Sequence, residues 1–592
     1  MTAFRDIISL YRARLAEETG AVRKDWGGRR AIALAYPNHY RLGMSNLGLQ
    51  IVYRLLNQRS EAVVERVFLP EGQEMSLYLR SGKPLLSLES QRPLYEFDLV
   101  AFSISFENDY PHVLRMLELG QIPLVATERS ERMPLVMAGG ITTFLNPEPL
   151  AMFMDFFLLG EAEANLDPFM DALLGTRRGS ASRKEILADL ATEVPGVYVP
   201  RFYCTAYRDD GTLKDFWAID SRFPEKIQVP CAPKGGFSAE NVPMSAITTP
   251  ETEFSSKVLI ELGRGCGHSC RFCAAGYAYR PPRIYPENRL RAAVQKAMEQ
   301  SHQVGLVSPA VSDVPGIEAL TERILEQGGA FSVSSLRAET LTRKLLTHLQ
   351  RAGQKTVTIA PEAGSERLRK AINKHLTRDQ IFDAARIIAS TGDFSVRLYF
   401  MIGLPTETDA DIEELVDLVK GIKHHMVKES AGRGTMGRIR LSVNCFVPKA
   451  STPFQWFPLE DVASLKDKQK RLKKALYKAG GIDVGVDVPK WAYVQTLLSM
   501  GDRRVGSILL LAHQSGGDWT RALRTSSVNP DFFVYRPREI HERLPWDFID
   551  NGILKKHLIN ERRLALNAEL SDICHVGECR RCGVCADPPR LS

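Results

Sequence analysis

The residues best suited to chemistry are cysteines, and their placement says more than their number. The chain has 10 of them, none before Cys204. Cys266, Cys270 and Cys273 form a C-x3-C-x2-C loop within Leu262–Arg280. Thiolates bind zinc and iron well. Three ligands are one too few for a closed tetrahedral zinc site. A four-iron cubane held by three cysteines instead keeps one iron open for an external chelating ligand. Four more thiols, Cys574, Cys579, Cys582 and Cys585, crowd the C-terminus. The first three of these share the C-x4-C-x2-C spacing of plant-type ferredoxins. Structural zinc usually takes two C-x2-C knuckles separated by a longer loop, so a second iron–sulfur cluster is the preferred reading over zinc. Arg580 and Arg581 between the ligands would offset its negative charge. Such a cluster would relay an electron or pin down the tail. Cys204, Cys231 and Cys445 are isolated and read as small apolar residues.

Elements must hold these groups in place. The 592 residues are 44% hydrophobic and 25% charged, an ordinary globular composition with material for more than one core. A net charge of +7 permits an anionic partner without demanding one. The first thirty residues are charged throughout with no apolar h-region, and no apolar run is long enough to cross a bilayer. A cytoplasmic protein without membrane contact is expected. Residues 1–195 alternate β-rich runs with helical patterns. The strand candidates are Ala31–Tyr36, Ala62–Leu69, Asp98–Ile104, Pro123–Ala126, Pro134–Gly139 and Asp155–Leu159. Continuous apolar runs between amphipathic segments predict an α/β fold with a doubly wound, Rossmann-like sheet. Ligands of such sheets bind beyond the carboxyl ends of the strands, here near Ser103, Ser105, Gly139, Gly140 and Gly160.

Residues 196–256 read as a hairpin around Asp-Asp-Gly-Thr followed by a Pro/Ser/Thr/Gly-rich linker. Residues 257–456 contain six further β/α repeats, beginning at Val258–Leu262 and ending at Ile439–Phe446, and predict a partial or full (β/α) barrel. Reactive groups then gather at the C-terminal strand ends, where the three-cysteine loop falls. Residues 457–592 form a helical, cysteine-rich extension. Its Leu465–Lys478 segment is a basic helix pattern, either a solvated face or an RNA contact.

The C-x3-C-x2-C loop after the first barrel strand resembles the radical S-adenosylmethionine superfamily. The resemblance implies a [4Fe–4S] cluster on Cys266, Cys270 and Cys273, with S-adenosylmethionine (SAM) chelating the fourth iron. One electron would then cleave SAM to methionine and a 5′-deoxyadenosyl radical. Phe272 holds the aromatic position that packs near the adenine. Ala360-Pro-Glu-Ala-Gly-Ser365 resembles the segment whose carboxylate reaches the ribose hydroxyls, which points to Glu362. Its other reading is a helix N-terminal acid. Ser334-Ser-Leu-Arg337 follows the third strand, and Arg337 is placed to pair with the methionine carboxylate. Met401-Ile-Gly-Leu-Pro-Thr-Glu407 resembles the turn that shapes the adenine pocket, through Gly403 and Pro405. The glycine-rich segment expected after the second strand is replaced by Ser308-Pro-Ala-Val-Ser-Asp313, where Asp313 is the substitute for the methionine amino contact. His268 is read as loop-shaping.

The N-terminal half resembles the subset of this superfamily with a cobalamin-binding-type domain ahead of the barrel. Ser103-Ile-Ser105, Ala138-Gly-Gly140 with Asn146-Pro-Glu-Pro149, and Gly160-Glu-Ala-Glu163 carry the likeness. The cobalt-ligating D-x-H-x-x-G motif is absent, since Tyr36-Pro-Asn-His-Tyr-Arg-Leu-Gly43 has the wrong spacing. Cobalamin would therefore bind without a histidine ligand, or the domain keeps the fold without the cofactor. The whole looks most like an uncharacterised bacterial group often associated with a separate radical-linked companion protein. The expectation is a radical SAM enzyme that methylates or rearranges an unknown substrate, fed by a flavodoxin or ferredoxin. The alternatives are an RNA- or ribosome-modifying enzyme without cobalamin and a non-catalytic iron–sulfur scaffold. Methylthio transfer is disfavoured because the N-terminal domain has no cysteine for an auxiliary cluster.

Overall fold

A computed structural model describes residues 2–175, 182–231 and 242–585. The last residues of the predicted extension and residues 232–241 of the predicted linker lie outside the described residues.

The N-terminal sheet has six strands: β1 (Arg30–Tyr36), β2 (Ala62–Phe68), β3 (Leu99–Ser103), β4 (Leu135–Gly139), β5 (Phe156–Leu158) and β6 (Val197–Tyr198). Their spatial order is β2-β1-β3-β4-β5-β6. The first five run parallel, and β6 pairs antiparallel with β5. All of β2 and nearly all of β1 is buried; β1 is an unbroken apolar run after Arg30, while β2 carries buried Glu65 and Arg66 in its middle. The chain leaves β1 towards one edge and returns through β3 on the other side. That reversal opens a crevice beyond the strand ends.

One expected strand is absent. Pro123–Ala126 stays outside the sheet, where β3 pairs directly with β4. Pro123 has no N–H to offer a ladder. The carbonyls of Pro123 and Leu124 instead accept hydrogen bonds from Arg129, Nε at 3.0 Å and Nη2 at 2.8 Å. The predicted hairpin is present, with Tyr203–Tyr207 antiparallel to Leu213–Ala218.

The second α/β unit is an open barrel in two arcs. One arc holds β7 (Val258–Glu261), β8 (Gln303–Val307) and β9 (Ala330–Val333); the other holds β10 (Thr356–Glu362), β11 (Ser395–Ile402), β12 (Ile439–Cys445) and β13 (Ile482–Val486). Every pairing within the arcs is parallel, and among the described residues a single Leu336–Ile359 bridge joins them. Strand β13 lies in the segment read as helical extension. Its alternation of half-buried and exposed residues, with Asp483 and Gly485 inside it, is an edge-strand pattern that gives little apolar signal. The basic helix forms as Val462–Ala479.

The extension also ties the two α/β units together. Asn146 donates through Nδ2 to the carbonyls of Ser499 (3.1 Å) and Gly501 (2.7 Å), and Glu148 pairs with Arg503 at 2.8 Å. Lys449, beyond β12, pairs with Glu107 of the N-terminal unit at 2.6 Å. Among the described residues, no helix is long and apolar enough to cross a membrane.

Candidate active site

The apolar run of β7 delivers the chain to the C-terminal end of the barrel. There Gly263–Arg264 pairs antiparallel with Arg283–Ile284 and closes the base of the cysteine loop. Arg264 locks that base to the N-terminal unit, pairing with Glu161 (3.1 Å) and Glu163 (2.7 Å) as well as with Glu261 (2.8 Å).

Inside the loop the three thiols share one environment. Burial pushes the Cys273 thiol up to about 12, and the charges of Cys270 and Cys266 add to the shift. Burial also raises Cys270, against the opposing pull of Lys374 and Arg337. Thiols raised in this way, such as Cys270 and Cys273, cannot ionise together unless positive charge lies between them, and coordinated iron supplies that charge. Among the described residues, no three His, Cys, Asp or Glu side chains converge where a single metal ion would sit. The thiols of a cubane each bind a separate iron, so its site needs no such convergence. The donor set therefore fits a [4Fe–4S] cluster.

The side chains between the cysteines do the positioning. Arg271 is fully buried and donates to Glu561 through Nε at 3.0 Å and to the Lys370 and Ala371 carbonyls through Nη1 at 3.0 and 2.8 Å. Asn373 donates to the carbonyls of His268 and Ser269, both at 3.2 Å. His268 bonds the Asp313 carboxylate through Nε2 at 2.6 Å. Burial works against the Asp313 charge, but His268 and then Arg337 outweigh it and hold the carboxyl below its ordinary value. Asp313 thus stands beside the cysteine loop, with Arg337 Nε 3.6 Å from its carboxylate.

The expected SAM-binding residues fall in different places. Phe272 packs against a small core of its own that includes Ala363, Leu404, Phe446 and Phe454. It therefore joins the cysteine loop to the ends of β10 and β11. Glu362 closes β10 just past a register shift in its pairing with β11, and its φ of 68° is left-handed. A non-glycine residue held there marks a backbone over-determined by its surroundings. The cause is next door: a Cβ on Gly364 would meet the Leu415 backbone at 2.3 Å, and Asp411 accepts from both Ser365 and Arg367. Burial raises the Glu362 carboxyl while Lys374, 3.8 Å away, opposes the rise. Arg337 is turned to Glu339, yet its Nε is buried without a hydrogen bond. Gly403 and Pro405 sit buried in the turn after β11, where Gly403 has a φ of 77° and donates its N–H to Glu407 at 2.9 Å. Glu407 is in turn paired with Lys468 of the basic helix at 2.7 Å, so that residue serves the turn rather than solvent. Ser334 stands apart. It is exposed and lines a second cavity of about 580 Å³ at the gap between β9 and β10, among Lys257, Thr356 and Arg397.

A cavity of about 570 Å³ lies between the units. Its rim is Asn46, Ser103, Ser105, Gly139, Gly140 and Gly160 from the N-terminal strand ends, and Arg264, Gly265, Ala275, Tyr279 and Ser308 from around the cysteine loop. Ile32, Leu34, Leu99, Ala101 and Met137 make an apolar floor. Gly140 adopts a φ of 107°, and a Cβ there would strike the Ile104 carbonyl oxygen at 2.3 Å, so the tight turn excludes a side chain.

The C-terminal thiols gather next to the first loop. Burial raises Cys574, and Arg280 opposes the shift while Cys579, Cys582 and Cys585 add to it. Arg581 donates to the Cys579 sulfur at 3.3 Å. The roles of Lys374, Arg271, Arg280 and Glu561 were not legible in the sequence. Lys374 and Glu561 are single charges distant from any motif, and Arg271 and Arg280, though in the loop segment, carry no sign of the partners they meet once buried. Of the isolated cysteines, Cys445 is buried, Cys204 half-buried and Cys231 exposed.

Comparison with known proteins places this geometry. An uncharacterised protein of Methanocaldococcus jannaschii is 29% identical over 480 residues, covering 81% of this chain and 90% of that protein. A tRNA-2-methylthio-N(6)-dimethylallyladenosine synthase of Cereibacter sphaeroides is 24% identical over 222 residues, 34% of this chain and 46% of that enzyme. Among solved structures, the cobalamin-dependent S-adenosylmethionine radical enzyme OxsB with aqua-cobalamin bound gives a TM-score of 0.46 at 13% identity, covering 91% of this chain and 80% of that one. The radical S-adenosylmethionine methyltransferase TsrM from Kitasatospora setae gives 0.43 at 12% identity, covering 70% and 72%. Residues 48–200 match the family described as radical SAM proteins, N-terminal, and residues 260–419 match the radical SAM superfamily. With more than half of its length so matched and three thiols grouped at the end of the first barrel strand, the chain belongs to the radical S-adenosylmethionine superfamily of enzymes, which work with a [4Fe–4S] cluster and SAM.

Proposed function

We propose that this chain cleaves SAM reductively at the three-cysteine loop and uses the resulting radical on a substrate held in the cavity between its two α/β units. The observation that carries this reading is that one space of about 570 Å³ is bounded both by the flanks of the cysteine loop and by the strand ends of the N-terminal sheet. When bound by Cys266, Cys270 and Cys273, the cluster supplies the electron that breaks the C5′–S bond of SAM to give methionine and a 5′-deoxyadenosyl radical. The protein residues bind and orient. Glu362 accepts from the ribose hydroxyls, Phe272 with the Gly403–Pro405 turn walls the adenine, and Arg337 and Asp313 receive the methionine carboxylate and amino groups. Ser334, lining the other cavity, is left out of this set.

The same crevice suits cobalamin, bound without a histidine ligand. Among the described residues lining it, none is histidine. With cobalamin the reaction is methyl transfer to an unactivated carbon or a rearrangement. Protein purified anaerobically from cells grown with cobalamin is expected to carry its absorption bands. Gly140→Val is expected to lose them while keeping the cluster. A cobalamin-free protein that still cleaves SAM would leave the whole cavity to the substrate.

A second reading of the substrate rests on the helix Val462–Ala479, which exposes Lys466, Lys470, Lys473, Lys474 and Lys478, with Tyr477 86% exposed. An RNA substrate would bind there with a steep salt dependence. Binding unaffected by changing these lysines to glutamate would remove that reading. The electron donor in either case is a low-potential flavodoxin or ferredoxin, and the setting is the cytoplasm.

A further inference from the structure

We propose that Cys574, Cys579, Cys582 and Cys585 hold a second iron–sulfur cluster that is the entry port for electrons, passing them to the first cluster through a direct contact between the two cysteine loops. This rests on the reading of Cys266, Cys270 and Cys273 given above.

The four thiols of the tail fall within twelve residues, and Cys582 is buried while the other three are half-buried. Their sequence neighbourhood is exposed: His575, Val576, Gly577, Glu578, Arg580 and Arg581 all face solvent. The first loop is deeper, pinned from below by fully buried Arg271. Between the two lies bonded structure. The Cys574 N–H donates to the Gly267 carbonyl at 2.8 Å, and Gly267 directly follows the ligand Cys266. A Cβ on Gly267 would stand 3.2 Å from the Cys574 carbonyl oxygen, so the two backbones are packed against each other. From ligand to ligand the route is one peptide, one hydrogen bond and one residue. Electron tunnelling falls steeply with distance and favours bonded routes over gaps.

A second bridge runs parallel to the first. Arg280 is 6% exposed and donates through Nη2 to the Ser269 hydroxyl at 2.8 Å, inside the first loop. The same guanidinium is near enough to the tail for Cys582 and Cys574 to act on its charge. Asn373 clamps the assembly, donating to His268 and Ser269 of the first loop while its Oδ1 accepts from the Ser571 N–H at 2.9 Å, just ahead of the tail cysteines. A tail needed only for anchoring has no use for a buried cation set between its own thiols and the backbone of the first loop. Shared hydrogen bonds and charge of this kind set the potential of an iron–sulfur centre.

The step is an electron transfer with no bond made or broken. A low-potential one-electron protein donor of the flavodoxin or ferredoxin class is oxidised, and the tail cluster is reduced. The tail cluster is reoxidised as it reduces the first cluster, and no proton moves. The cluster with an open iron then responds to SAM, whereas the tail cluster, with four thiolates, does not.

The test uses that difference to tell the two signals apart in the full chain. In freeze-quench electron paramagnetic resonance with reduced flavodoxin, the SAM-insensitive signal is expected to rise before the SAM-sensitive one. The reverse order, or a simultaneous rise, would overturn the proposal, as would zinc in the tail of the native protein. The Cys579→Ser/Cys585→Ser variant is expected to fall from about eight to about four irons per chain. Dithionite, small enough to reach either centre, should still reduce its SAM-sensitive cluster. Flavodoxin should do so about tenfold more slowly or worse, for want of the port. Equal flavodoxin rates in variant and native chain would refute the port while leaving the first cluster's role intact. A native chain that gives no 5′-deoxyadenosine even with dithionite would refute the earlier reading instead.

Discussion

Removing Glu561 should loosen both cysteine loops at once. Its carboxylate, 3% exposed, accepts from Arg271 Nε at 3.0 Å and from the Ser571 hydroxyl at 2.9 Å. Arg271 lies between Cys270 and Cys273, and Ser571 lies just ahead of Cys574, so one anion ties the two loops together. Breaking a buried ion pair by deleting one partner costs about 3–5 kcal/mol, because it strands the other charge. Arg271 keeps two carbonyl partners, which puts Glu561→Ala at the lower end, about 3 kcal/mol. At about 1.4 kcal/mol per factor of ten, that is a little over a hundredfold in local opening. Hydrogen exchange of the iron-free chain, read at segments 266–273 and 571–582, measures it without reference to the cluster. A double variant, Arg271→Met with Glu561→Leu, should recover most of the loss, since an apolar pair of similar volume removes the stranded charge. Unchanged protection in the single variant, or a double variant worse than the single, would refute this account of the anchor.

Other outcomes follow from the same geometry. Glu362→Gln should weaken SAM binding by about 1.5–3 kcal/mol, the worth of hydrogen bonds to a charged acceptor, and the SAM-dependent change in the cluster's resonance spectrum reads it. Asp411 is opposed by burial, but Ser365, Arg367 and Thr408 outweigh that and hold its carboxyl below the ordinary value. Its stabilisation of the Glu362 turn is therefore fully present above the unfolded carboxylate value of about 4 and is lost as pH falls through the depressed folded value. Asp411→Asn should remove that dependence from the exchange rates of residues 362–368. Lys468→Met strands Glu407, which is 2% exposed, under the Gly403 turn, and should raise the KM for SAM while leaving cluster content unchanged. A lowered iron content would contradict the assignment of Lys468 to that turn.

The motif-bearing parts of this molecule were legible because their signals are local. The unbroken apolar run Ala31–Tyr36 marked β1, since a strand buried on both faces needs one. The loop Cys266–Cys273 was marked by ligand type and spacing. Pro123–Ala126 misled because an apolar run says nothing of a neighbouring arginine that claims its carbonyls. Strand β13 was hidden by the opposite effect, an edge position that tolerates Asp483 and Gly485. Ser334 and Arg337 are three residues apart, yet they serve different sides of the barrel because β9 ends between the two arcs. Least legible were the long-range ties, such as Asn373 to Ser571 and Arg271 to the Lys370 and Ala371 carbonyls. Nothing in the local pattern of a lone Asn or Arg tells which distant backbone it will meet.

The most direct test of the central claim is product analysis of the anaerobically reconstituted, dithionite-reduced chain with SAM. A [4Fe–4S] cluster on Cys266, Cys270 and Cys273 is expected to yield 5′-deoxyadenosine and methionine, and Cys270→Ser is expected to yield neither while the tail keeps about four irons. Fully loaded, reduced protein that leaves SAM intact, or a Cys270→Ser variant that still cleaves it, would contradict the account.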